Sequence, residues 1–184
     1  MRRVSRKPRG FTLTEVMIAL AITAVLATLA IYGVRKYILV SKTTEPIEII
    51  NSIRAAQEAY RDETFAYFDV SQGNIDAYHP SVPPGVPDTA RRSWVTGNAG
   101  IDARWSQLGV QAGAPVQFGY ACISGPAGAA LPPLGAATAT GFPAAPTTPW
   151  FVVKAVGDRD DDNINALFLG SSFTDQIFSE KEDE

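Results

Sequence analysis

From Phe11 to Tyr32 the chain runs 22 residues with Glu15 as the one charge and threonine as the polar remainder. At about 1.5 Å per residue such a helix is roughly 33 Å long, which matches the hydrocarbon thickness of a bilayer. The pattern predicts a spanning helix over residues 11–35. The periodicity then changes. In "SKTTEPIEIINSIRAAQEAYRDE", Ile47, Ile50, Ile53, Ala56 and Tyr60 recur at steps of three or four, while Glu45, Glu48, Arg54, Glu58 and Arg61 point elsewhere. That spacing predicts an amphipathic helix over 36–63 with one face to bury. Pro46 either kinks a single helix of about 75 Å or opens the second helix at its first turn, where its missing N–H is harmless.

Beyond residue 63 the period shortens to two. "PVQFGYACI" places Val116, Phe118, Tyr120 and Cys122 on one face. "WFVVKAV" at 150–156 and "NALFLGSSF" at 165–173 follow, separated by the acidic turn "GDRDDDN". These read as three or more antiparallel strands whose apolar face covers the Ile47, Ile50, Ile53 and Tyr60 stripe. The expected fold is α+β: a long N-terminal helix, half spanning and half amphipathic, packed on a small antiparallel sheet, with residues 64–184 as the head. The Gly, Pro and Ala-rich stretch 124–149 reads as an excursion loop on the surface.

Charge sharpens the layout. The chain carries 16 bases and 19 acids for a net −3, but residues 1–10 hold five bases and no acid. The remainder therefore has 16 − 5 = 11 bases against 19 acids, or −8. A body that acidic does not bind nucleic acid through phosphates, so no nucleic-acid partner is expected. The basic leader predicts a cytoplasmic N-terminus, with everything after the span on the far side. A cleaved secretory signal has an apolar core of about 7–15 residues, shorter than this one, so the span is read as retained.

Candidate chemistry is sparse. Cys122 is the one cysteine, which excludes an intrachain disulfide. The one histidine, His79, lies in "AYHPSVPPGVP" with no partner to activate or chelate with it, and is expected to be an ordinary surface or loop residue. No nucleophile–base pair and no phosphate-cradling glycine motif is present, so no catalytic residues and no enzyme are expected.

Glu15 is the residue that needs explaining. "TLTE" fits a capping box in which Thr12 caps the helix and Glu15 returns a bond to the Thr12 N–H. Capping and the helix dipole contribute about 0.5–2 kcal/mol, against roughly 2.5–3.5 kcal/mol for an acidic side chain deep in a membrane. A shallow position near the headgroups, or a specific partner, closes the gap.

The residues before it bear on that choice. "RGFTLTE", behind a basic leader and ahead of twenty-odd apolar residues, resembles the class III signal of type IV prepilins and the related pseudopilins. The resemblance covers residues 1–62 and extends to the head only as general architecture. It implies cleavage between Gly10 and Phe11 by a membrane prepilin peptidase, and methylation of the Phe11 amino group. The ammonium so created has an unperturbed pKa of about 7.7–8.0. In the family its counter-charge is the fifth-position glutamate of an adjacent subunit, carried over here to Glu15.

The implied partners are copies of the chain itself, other pilins, the peptidase and the inner-membrane assembly machinery. The implied location is the inner membrane before assembly, then an extracellular pilus or a periplasmic pseudopilus. The chain departs from the type IVa pilin pattern at Tyr32 and Gly33, where a proline is common, at Thr14, where an aliphatic residue is common, and in lacking a disulfide. Secretion pseudopilins also commonly lack that disulfide and are the alternative reading. A third reading is a periplasmic binding domain tethered by its helix, which predicts no dependence on Glu15.

No cofactor is required, but calcium enters at "GDRDDDNIN". Asp158, Asp160 and Asp162 alternate there, and alternating carboxylates in a turn can converge on one hard cation. It is no EF-hand, because Asn163 and Leu169 stand where glycine and glutamate are needed. A solvated acidic hairpin is the competing reading.

Overall fold

The computed structural model describes residues 10–41, 43–80, 88–135, 141–159 and 161–181. Contacts divide the chain into two compact units, Met1–Ile38 and Leu39–Glu184. Helix α1 runs Leu13–Ser41. Its stretch Leu13–Val34, 22 residues of mean hydropathy 2.3 with none buried, is long and apolar enough to cross a membrane. The Thr23 hydroxyl donates to the Ala19 carbonyl and the Thr28 hydroxyl to the Val25 carbonyl, both at 2.7 Å. Bonds that return to the helix backbone satisfy these hydroxyls without water, which suits a lipid-facing surface. The helix continues through Gly33 without interruption.

Helix α2 runs Thr44–Thr64, with Thr43 in a turn before it. Of the two alternatives for Pro46, the structure shows the second: it is the third residue of α2. The buried stripe is Pro46, Ile50, Ile53 and Gln57, with Ala56 and Tyr60 packed against the core. This corrects the sequence reading at three positions. Ile47 is exposed. Glu45 and Arg54, placed on the solvent side by the periodicity, both engage the head. The Arg54 guanidinium donates to the Thr174 and Asp175 carbonyls and pairs with the Asp175 carboxylate at 3.3 Å.

The head sheet is an antiparallel meander, order β1-β2-β3-β4: β1 Gly119–Gly125, β2 Trp150–Gly157, β3 Ala166–Ser171 and β4 Phe178–Glu180. Tyr120 pairs Ala155, which pairs Phe168; Cys122 pairs Val153, which pairs Gly170. Alternation sends Phe118, Tyr120, Cys122, Phe151, Val153 and Phe168 into one core with Ile50 and Ile53 of α2. A Cβ on Gly170 would collide with the Ile50 side chain, so the helix rests on the sheet where a side chain is missing.

A helix absent from the sequence reading, α3 (Ala99–Leu108), adds Trp105 and Leu108 to that core. Asn98 caps it by accepting from the Gly100 N–H, and Gly109 ends it in the left-handed region.

The other sheet face carries Ala121, Ile123, Trp150, Val152, Val156, Leu167 and Leu169. Leu134 is buried against it, and Ala129, Leu131 and Phe142 pack over it. The Gly, Pro and Ala-rich stretch is therefore a cover for the sheet, not an excursion, over its described residues 124–135 and 141–149. It is pinned by the Trp150 indole donating to the Ala129 carbonyl and by backbone bonds Gly128 to Pro146 and Leu131 to Ala144. Lys154, buried on this face, meets Asp76 at 2.8 Å.

Candidate processing and assembly site

Gly10 and Phe11 precede α1 without helical structure, and both are exposed, Phe11 to 87%. The peptide bond between them therefore joins two exposed residues outside any helix. Two residues on, the capping box closes. The Thr12 N–H donates to Glu15 Oε2 at 2.8 Å, the Thr12 hydroxyl donates to the same oxygen at 2.7 Å, and the Glu15 N–H donates to the Thr12 hydroxyl at 3.2 Å. Both bonds to the carboxylate fall on Oε2. Oε1 has no partner among the described residues, so capping occupies half of the group. The local role and an intermolecular role are thus compatible in one side chain.

The acidic turn is built differently. Asp158 is buried, and its carboxylate accepts the N–H groups of Asp161 at 2.8 Å and Asn163 at 3.0 Å. Asp162 accepts from the Ile164 N–H at 2.7 Å. Asp161 and Asn163 adopt positive φ, 68° and 65°, which short polar side chains tolerate. Asp158 and Asp162 therefore fasten the β2–β3 connection. Asp160, the third residue of the calcium reading, lies outside the described residues. Among the described residues no group of three or more His, Cys, Asp or Glu side chains is placed to hold a metal.

Sequence reasoning missed the polar residues that join α2 to the head. Glu45 Oε1 accepts the Gln117 and Phe118 N–H groups at 2.8 and 3.2 Å and the Tyr120 hydroxyl at 3.3 Å. The Gln57 amide donates to the Phe68 carbonyl at 2.7 Å and accepts the Phe68 N–H at 2.8 Å. It also reaches the sulfur of Cys122, a buried thiol whose pKa burial pushes up to about 12. The expectation for His79 is overturned as to surface exposure: its side chain is fully buried. It was placed by a β-bridge to Tyr120, and nothing local in "AYHPSVPPGVP" encodes that pairing.

The family model for the prokaryotic N-terminal methylation motif matches residues 5–31. That span contains Gly10, Phe11, the Thr12–Glu15 box and most of the apolar part of α1. No curated protein and no solved structure matches the chain. An exposed Gly–Phe bond, a capped glutamate five residues in and an unburied apolar helix fall together inside the matched motif, and the α+β head fits a pilin fold: the chain carries a type IV pilin-like prepilin signal.

Proposed function

We propose that the chain is a structural subunit of a type IV pilus-like filament, cleaved after Gly10, methylated on Phe11 and assembled through its N-terminal helix. The observation that carries this reading is the methylation motif over residues 5–31 leading into an apolar helix with no buried residue in its spanning part. Neither feature has a use in a monomer in water, and open helical assembly through heterologous contacts gives that helix a surface to bury against.

Cleavage creates an ammonium at Phe11, and Glu15 Oε1 of a neighbouring copy is its counter-charge. In low dielectric such a pairing is strong, so processing switches assembly on and the carboxylate sets the register. The precursor sits in the inner membrane with its N-terminus cytoplasmic. Its partners are the peptidase, the assembly machinery, other pilins and copies of itself, and the filament serves motility, adhesion or attachment. Catalysis has no place in this reading.

A secretion pseudopilus is the second reading, favoured by one observation: the lone Cys122 is buried and cannot close the C-terminal disulfide common in pilins.

Mass spectrometry of the mature protein tests processing: the expected first residue is methylated Phe11, and an intact Met1 rejects the filament. Glu15→Ala is expected to insert into the membrane normally and to yield few or no filaments. Normal filaments from that variant would leave a tethered binding domain, or a filament that does not use Glu15.

A further inference from the structure

His79 is the chain's one histidine, and its ring sits in a cage of aromatic side chains. The Trp94 ring meets it edge-on at 4.8 Å between centroids, Trp105 lies at 5.7 Å, and the two indoles contact each other at 5.2 Å. The Tyr120 backbone, which exchanges two 2.8 Å hydrogen bonds with that of His79, fixes the residue against β1. Neither ring nitrogen has a hydrogen-bond partner among the described residues.

Trp94 belongs to the loop 88–98 and Trp105 to α3, so the cage joins both to β1. The loop is also tied to the chain leading into β1 by a pair of backbone bonds between Arg92 and Val116 at 2.7 and 2.8 Å, by the Arg91 guanidinium donating to the Pro115 carbonyl and by the Gln117 amide donating to the Thr89 carbonyl.

The charges around the cage are already committed. Asp102 on α3 approaches Nδ1 to 4.0 Å, beyond hydrogen-bond reach. Its carboxylate is held by the Thr96 N–H and hydroxyl and by the Gly97 N–H. On the loop, Arg92 pairs with Asp88 at 2.6 Å. On α3, Arg104 donates to the Val70 carbonyl. On β1, the Tyr120 hydroxyl turns to Glu45. On the segment of His79 itself, the Tyr78 hydroxyl and Lys154 both engage Asp76.

We propose that His79 is a proton-sensitive latch: neutral, it holds the Trp94 loop and α3 on the sheet, and protonated, it releases them. A proton turns both ring nitrogens into donors and puts a positive charge on a fully buried ring whose nearest described carboxylate, Asp102, stands 4.0 Å away and is already engaged by Thr96 and Gly97, and burying a charge that is poorly paired is costly. Burial is the larger influence and holds the His79 pKa below its ordinary value, with Asp102 and the Trp94 backbone acting the other way.

The sign follows. The unfolded chain protonates near pH 6.5 and the folded one lower, so the stabilisation is whole above about 6.5 and is lost as pH falls toward the folded value. The latch does not depend on the filament reading.

The test uses the full chain in detergent micelles, with histidine isotope-labelled so that one ring resonance is observed. That resonance is expected to titrate below pH 6.5, and tryptophan emission to change along the same curve. The guanidinium midpoint is expected to be lower at pH 5 than at pH 7.5, with most of the difference gone in His79→Phe. A titration at or above 6.5, or emission that ignores the titration, overturns the latch. Both readouts come from the unsubstituted chain, so they decide the matter even where His79→Phe fails to fold.

Discussion

Gln57 occupies the buried stripe of α2, where the helical repeat calls for an apolar side chain. It behaves there as a piece of backbone, presenting one donor and one acceptor to the two groups of Phe68. Gln57→Leu keeps the bulk and removes both bonds, leaving partly buried Phe68 groups unpaired. The expected loss is about 1–3 kcal/mol of folding free energy, read by denaturant unfolding, and an unchanged midpoint would show that Phe68 finds other partners. Such residues mark where sequence reading stops. Periodicity says which face of α2 is buried, but the partners of Glu45 and Arg54 lie 72 and 121 positions away. No local pattern encodes which distant backbone group will arrive. At Glu15 the reverse holds: its capping partner is three residues away, and the box is legible in four letters.

Among the elements, those with a sustained period were the legible ones. The alternation over 116–122 puts Tyr120 and Cys122 on the face toward α2, and the two later strands begin within a residue of where their apolar runs begin. Strand β4 has three residues, too few to show a period of two. Helix α3 had its signals, an Asn cap, an acid in the first turn and a closing glycine, but it is only ten residues long, and the sequence reading assigned no element to that stretch. The stretch 124–149 reads as an excursion because its Gly, Pro and Ala-rich composition shows no period, whereas in its described residues the chain lies close to the sheet around Leu131, Leu134 and Phe142.

The contact between α2 and β3 yields a prediction at this scale. Gly170→Ala puts a methyl group against Ile50, and overpacking of this kind costs about 1–3 kcal/mol. The substitution should lower the thermal midpoint, and an Ile50→Val background should restore part of the loss.

For the whole molecule, the core of the head is built from residues of α2 onward. Among the described residues, those of the core all lie in the second unit, Leu39–Glu184. A fragment of residues 39–184 is therefore expected to unfold in one cooperative transition without detergent, followed by circular dichroism. A broad, non-cooperative melt would show that the head depends on the first unit. The same fragment tests the calcium proposal: millimolar calcium should raise its midpoint, and Asp160→Ala should abolish the rise. No shift would remove calcium from the account.

The outer side of β1 has a consequence for life at high local concentration. Glu45 takes the N–H groups of Gln117 and Phe118, the His79 backbone takes both groups of Tyr120, and Ser71 takes both groups of Cys122 through its N–H and its hydroxyl. These contacts stand in for a fifth strand, and the opposite margin ends in the three-residue β4. A sheet with one margin capped and the other cut short offers little template for strand-to-strand pairing. In the filament proposed above, neighbouring heads can then touch without merging into aggregated β-structure.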